Sequence, residues 1–169
     1  MFFDTSPYVI YALKGSGITK PKDLEGRRIG VSVRDATRVV FPALAKLHGI
    51  DENKITWVNA APPAKVPFLV TGKVDATTAF TTTGPQYKLA AKDAGKEVVE
   101  ILFTNWGIDV YGMGLGATDR AIKEKPDLIR RVVRATYQGI AWSTEHPEEA
   151  VDLFLKGHPA QTRGRVAKG

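Results

Sequence analysis

The apolar residues of this chain change their spacing repeatedly. Segments that repeat every second position give way to segments that repeat about every 3.6 positions. A strand buries alternate side chains and a helix buries one stripe, so this rhythm calls for helices laid on a sheet. Strands are predicted at residues 28–31, 55–59, 74–80, 97–103 and 110–117. Val40, Leu44 and Leu47 mark one side of a helix after the first of them, and Gly49 stops it. Pro42 lies inside that pattern. It has no amide to donate, so the helix is expected to start late or to kink there. A second helix carries Val66, Leu69 and Val70 and stops at Gly72, and a third covers residues 85–94. The longest, residues 126–145, repeats Leu128, Ile129, Val132, Val133, Thr136, Tyr137 and Ile140 along one side and opens on Pro126. A shorter helix starts near Pro147.

Alternating strands and helices imply an α/β fold with a largely parallel sheet. Ligands of such sheets bind beyond the carboxyl ends of the strands, close to helix N-termini. Two junctions therefore stand out, residues 31–37 and residues 80–83. The first reads GRRIGVSVRDATR when its flanks are included: a short apolar strand, then hydroxyls, a carboxylate and arginines.

Charge and composition narrow the functional classes. The net charge is +6, yet basic residues are interleaved with acidic ones, as in KPKDLEGRR and EKPDLIRR. No basic helix, finger spacing or aromatic RNA-binding stretch accompanies them, so nucleic acid is not expected as a partner. Arg130, Arg131, Arg134 and Gln138 read as the solvated side of the longest helix. No run approaches the ~18 apolar residues of a membrane span. The first residues, MFFDTSPYVIYALKGSG, do not read as a signal peptide. Cysteine is absent, which removes disulfides, thiolate metal ligands and thiol nucleophiles.

Catalytic signatures are missing as well. GMGLGA at residues 112–117 has the wrong glycine spacing for a dinucleotide loop, and neither a phosphate-binding loop nor a nucleophile elbow is present. His48, His146 and His158 sit at helix ends or in the tail, without metal-ligand spacing. A histidine near a helix C-terminus suits the helix dipole, the structural reading taken for His48. Glu148 and Glu149 fall in a first helical turn, where negative charge is stabilising. No catalytic residue, metal site or cofactor is expected. Trp57 and Trp142 lie within strand and helix patterns and read as core.

The order of the motifs carries more than any one of them. GITKPKDLEGRRIGV is followed by DATRVVFPALAKLHGID, ITWVNAAP, LVTGKVDATTAF and NWGIDVYGMGLGATDRAIKEKPDLIRRVVRATYQGI. This series resembles the substrate-binding proteins of ABC importers, in the branch serving sulfonates, taurine, nitrate and thiamine pyrimidine precursors. The resemblance covers residues 6–156 and implies a type II periplasmic binding fold, in which two α/β lobes close on a ligand. It places residues 1–25 in part of lobe one and the first crossover, residues 26–109 in lobe two, and residues 110–169 in the second crossover and helices of lobe one. One lobe is then nearly complete and the other partial. The implied function is binding of a small organic molecule between lobes without catalysis. The implied compartment is the periplasm, and the implied partners are the permease and ATPase of an importer. An incomplete lobe is expected to leave apolar surface on residues 128–140 that favours self-association or domain swapping. Two alternatives stay open: a degenerate or sensory ligand-binding fragment, and an enzyme of the pyrimidine-precursor synthase type on the same fold.

The resemblance also nominates site residues. The family loop after the first strand of lobe two usually reads Gly-Ser-Ala-Thr-Arg, and the matching positions are Arg34, Asp35, Ala36, Thr37 and Arg38. Asp35 is read either as a plain N-cap or as a direct ligand contact favouring hydrogen-bond donors over sulfonate or nitrate. Arg34 either offsets its charge or points to solvent. Phe80, Thr82 and the neighbouring Thr81 and Thr83 end a strand just before a helix; capping and ligand contact are both open for the three threonines, and burial is the default reading of Phe80, which continues the strand's apolar side. Asp109 and Tyr111 lie at the second crossover, where an aromatic ring can stack on a planar ligand, with Trp106 nearby. The ligand-binding set is thus Arg34, Asp35, Thr37, Arg38, Phe80, Thr82, Asp109 and Tyr111.

Overall fold

The computed structural model describes residues 5–112 and 114–159. They divide into two compact units, residues 5–112 and residues 114–159. The first holds a five-stranded sheet of β1 (Tyr8–Leu13), β2 (Arg28–Val31), β3 (Thr56–Asn59), β4 (Ala76–Phe80) and β5 (Val98–Leu102), in the order β3-β2-β4-β1-β5. Its helices are α1 (Ala36–His48), α2 (Pro62–Val70) and α3 (Gly84–Asp93).

The sheet is mixed rather than largely parallel. β2 runs parallel to β3 and β4, but β1 is antiparallel to both of its neighbours, β4 and β5. β1 is YVIYAL, an apolar run without alternation, and that suits a strand covered on both faces. Such a run specifies burial but not direction, so the sequence gives no hint of its orientation. On one face Ile10 and Ala12 pack with Ile29, Phe41, Leu44 and Phe103. On the other, Val9 and Tyr11 pack with Leu69, Val74 and Tyr87. Each such large side chain contributes about 1.5–3 kcal/mol by leaving water.

α1 starts at Ala36 and runs through Pro42 to His48, where a late start or a kink was expected. Asp35 caps its first turn, and Gly49 ends it in the left-handed conformation (φ 62°). Pro42 forfeits one backbone hydrogen bond and crowds the preceding turn, a cost of about 3 kcal/mol. Complete burial of Phe41 and Leu44 offsets it.

The segment expected as a strand at 110–117 forms none among its described residues. Gly112, Gly114 and Gly116 give it few side chains to pack, and no described strand takes up its amide and carbonyl groups. The second unit follows: α4 (Asp119–Glu124), α5 (Pro126–Glu145) and α6 (Pro147–Gly157). No residue of these three helices is buried. Trp142, expected in the core, is only half-buried and stacks on His146 with ring centroids 5.2 Å apart. Trp57 is partly buried and meets the Phe41 ring edge-on at 5.1 Å. No described helix is long and apolar enough to cross a membrane.

Candidate ligand-binding cleft

The carboxyl ends of β2 and β4 lie side by side, because these strands are parallel neighbours. Beyond β2 the chain turns through Ser32, Val33 and Arg34. The Asp35 amide donates to the Ser32 carbonyl at 3.2 Å. Arg34 takes a left-handed backbone (φ 59°), the one described non-glycine residue to do so. That conformation costs an L-residue about 1–2 kcal/mol. The turn swings the Asp35 carboxylate over the start of α1, where Oδ1 accepts the amides of Thr37 (3.0 Å) and Arg38 (3.3 Å). Oδ2 faces the Ser32 amide at 3.4 Å.

A lysine from α2 completes the arrangement. Lys65 pairs directly with Asp35 Oδ2. Its Nζ also donates to the Thr78 carbonyl (2.9 Å) and the Thr78 hydroxyl (3.0 Å) on β4. The Thr78 hydroxyl in turn lies 2.9 Å from Asp35 Oδ2. Only 9% of the Lys65 side chain and 8% of the Asp35 side chain is exposed. Burial alone would raise the Asp35 carboxyl. The hydrogen bond and charge of Lys65, with the Thr78 hydroxyl and the Ser32 amide, outweigh burial and hold it below the usual carboxylate range. The pair is charged but mutually neutralised, and it locks α1, α2 and β4 together.

These groups form the floor of a cleft of about 480 Å³. Val33, Ala36, Pro62, Val66, Ala79 and Phe80 give it apolar walls. Tyr87 closes one side; its hydroxyl lies 3.0 Å from Thr77 Oγ1, and burial pushes the phenol up to about 12. Arg34 and Gln86 also line the cleft, both exposed, and neither side chain has a partner among the described residues. The site thus offers an apolar surface, a saturated polar floor and two free donor groups at its rim.

Of the expected site residues, Arg34, Asp35, Thr37 and Phe80 line this cleft, as does the neighbouring Thr83. Thr37 is fully buried, its hydroxyl donating to the Ala79 carbonyl at 3.1 Å. Arg38 points elsewhere: it pairs with Glu52 at 3.0 Å, and its guanidinium lies 4.0 Å from the Trp57 ring centroid. Thr82 sits exposed in the short turn of residues 81–83, off the lining. Asp109 and Tyr111 follow β5 and are exposed, Tyr111 by 84%, and neither lines the cleft. Lys65 and Thr78 escaped sequence reading. The available signal was a single lysine inside the otherwise apolar APPAKVPFLV, which invites the question of what neutralises it. His48 lies in the last turn of α1, where it was expected, and its Nε2 lies 2.7 Å from the Trp106 carbonyl. The described residues contain no cluster of three metal-ligating side chains.

The family described as NMT1/THI5 like matches residues 1–150. Riboflavin-binding protein RibY of Chloroflexus aurantiacus is 26% identical over 95% of this chain and 45% of its own. The 4-amino-5-hydroxymethyl-2-methylpyrimidine phosphate synthase of Legionella pneumophila is 26% identical over 92% of this chain and 49% of its own. The chain therefore spans about half the length of these curated relatives. Among solved structures, the periplasmic aliphatic sulphonate binding protein SsuA of Escherichia coli superposes with a TM-score of 0.68. It shares 18% identity, over 89% of this chain and 47% of that one. A family match across most of the sequence and a shared architecture agree with the strand-end position of the cleft: the chain belongs to the NMT1/THI5-like family and carries the α/β fold of periplasmic solute-binding proteins.

Proposed function

We propose that this chain supplies a ligand-gripping wall of a solute-binding component of an ABC importer, and that it holds a small planar nitrogen heterocycle without transforming it. The cleft at the ends of β2 and β4 carries the reading: its walls are apolar and its floor polar groups are already paired. Apolar walls that include the Phe80 ring, with two free donors at the rim, suit a ring system bearing hydrogen-bond acceptors. The names of the two curated relatives support the ligand class, since flavin and aminopyrimidine are both planar nitrogen heterocycles. On this reading residues 26–109 belong to lobe two, residues 110–169 to the second crossover and part of lobe one. The partners are the importer's permease and ATPase, and the compartment is the periplasm.

A thermal-shift panel tests it. An aminopyrimidine or riboflavin at about 100-fold over its Kd stabilises by about 2.7 kcal/mol, a rise of roughly 5–10 °C for a chain of this size. An alkanesulfonate and nitrate are expected to do much less. No response to any heterocycle, or a larger response to the sulfonate, would sink the proposal.

A second reading has one specific support, the synthase name of the Legionella relative. Mass spectrometry of a cell-derived small-molecule extract after incubation with the protein separates the two. At most one equivalent of an unaltered heterocycle held by the protein favours binding, and a pyrimidine phosphate accumulating beyond one equivalent of protein favours the synthase.

A further inference from the structure

We infer that Asp35 is a built-in occupant of an anion seat and that it fixes specificity by excluding anionic ligands from the cleft. The inference rests on reading the cleft as the ligand site. Five donors converge on this one carboxylate: the amides of Ser32, Thr37 and Arg38, the Thr78 hydroxyl and the Lys65 ammonium. A carboxylate offers about four lone-pair sites, so this one has none to spare for a ligand. The three Lys65 protons are used too, on Asp35, the Thr78 carbonyl and the Thr78 hydroxyl. Without the Asp35 side chain, the same donors would point at open space on the cleft floor. An ammonium and bare amides at the start of a 13-residue helix are what an oxyanion requires.

The protein's own carboxylate therefore stands where a sulfonate, sulfate or nitrate would otherwise sit. An arriving anion would have to displace Asp35 or place two negative charges beside one ammonium. A neutral ring meets neither obstacle, because the buried pair has no net charge. The other cation on the lining, Arg34, is exposed at the rim, where water and salt screen it.

The test is a gain of binding. Asp35→Ser keeps a hydroxyl that can cap α1 and frees the Lys65 ammonium. The probes are inorganic sulfate and a short alkanesulfonate, with chloride at matched ionic strength as the baseline. The wild type is expected to show only the general stabilisation that sulfate gives any fold. D35S is expected to gain about 4 °C beyond that, at sulfate roughly tenfold above its Kd, and to show saturable heat in calorimetry. The double variant D35S/K65M removes the ammonium and is expected to lose the gain.

Equal sulfate responses in D35S and wild type overturn the inference, as do equal responses in D35S and D35S/K65M. D35S that stays unfolded even in high sulfate overturns it too, because the anion is expected to replace the missing carboxylate. If D35S/K65M does not fold, the comparison of D35S with wild type decides. A wild type that binds no heterocycle refutes the proposed function and leaves the anion seat standing. A D35S protein without anion gain, beside a wild type that binds heterocycles, does the reverse.

Discussion

α1 and α5 are both amphipathic, yet they end in opposite circumstances. α1 buries Phe41, Leu44 and Ala45 against the sheet, with the first two fully enclosed. α5 repeats an apolar stripe over about three and a half turns, and Leu128, Val132 and Ile140 remain 42–44% exposed. A helical stripe states that a face suits burial, while only neighbouring elements decide whether it is buried. The site follows the same division. The unit of residues 5–112 has its polar groups enclosed and mutually satisfied around Asp35, whereas the ion pairs of residues 114–159 are local and exposed, such as Arg130–Asp127 at 2.8 Å.

The largest expected effect sharpens that contrast directly. Phe41→Ala is expected to cost about 3–5 kcal/mol in urea unfolding, through lost transfer energy and the cavity left behind. Val132→Ala on α5 is expected to change stability by no more than about 0.5 kcal/mol. Comparable losses from the two would show that α5 is covered as well as α1.

Lys65→Met comes next. Removing one partner of a buried pair leaves the other uncompensated, at a cost of about 3–5 kcal/mol, reduced here by the four donors Asp35 keeps. The acid limb carries a second readout. Asp35 has a folded pKa below its ordinary value of 3.8, so its contribution is complete above that pH. The contribution is lost as pH falls through the lower folded value. Lys65→Met is expected to move this loss to higher pH. An unaltered acid limb in that variant would show that Lys65 does not set the Asp35 ionisation.

Two glycines give a smaller, matched comparison. A Cβ on Gly84 would meet the Tyr11 hydroxyl at 2.6 Å, and Tyr11 is packed rigidly against Tyr87 at 4.4 Å. Gly84→Ala is expected to cost about 1–3 kcal/mol. A Cβ on Gly139 in α5 meets nothing within 4 Å, so Gly139→Ala is expected to gain about 0.5–1 kcal/mol from helix propensity alone. Thermal melts of the two variants should therefore move in opposite directions, and shifts of the same sign would contradict the contrast. The smallest effect is at the cleft rim. Arg34→Gly relieves a left-handed backbone and is expected to stabilise by about 1 kcal/mol. A destabilised Arg34→Gly would mean that the guanidinium makes an interaction beyond those described.

Local signals were legible. Residues 126–145 were expected as a helix and form α5 with those bounds, because Pro126 marks the start and the stripe continues to Ile140. Asp35 was read as either an N-cap or a ligand contact, and it caps α1, since a carboxylate at this position suits the first free amides of a helix. Its charge partner was not legible. Arg34, next in sequence, was the natural candidate, but its exposed guanidinium leaves the task to Lys65, thirty residues away. The strand expected at 110–117 failed for a related reason, since its alternating pattern says nothing about whether a neighbour is present to pair with it.

By itself, then, the amino-acid order determined the helices and strands between residues 28 and 103 to within a few residues, and the bounds of α5. Those outcomes depend on interactions within a few residues, and backbone sterics and capping settle them at that range. The antiparallel insertion of β1, the pairing of Asp35 with Lys65 and the closed polar floor of the cleft came only with the tertiary structure. Each joins groups far apart in the chain, and their energies exist only once the sheet has brought those groups out of water and within hydrogen-bonding distance.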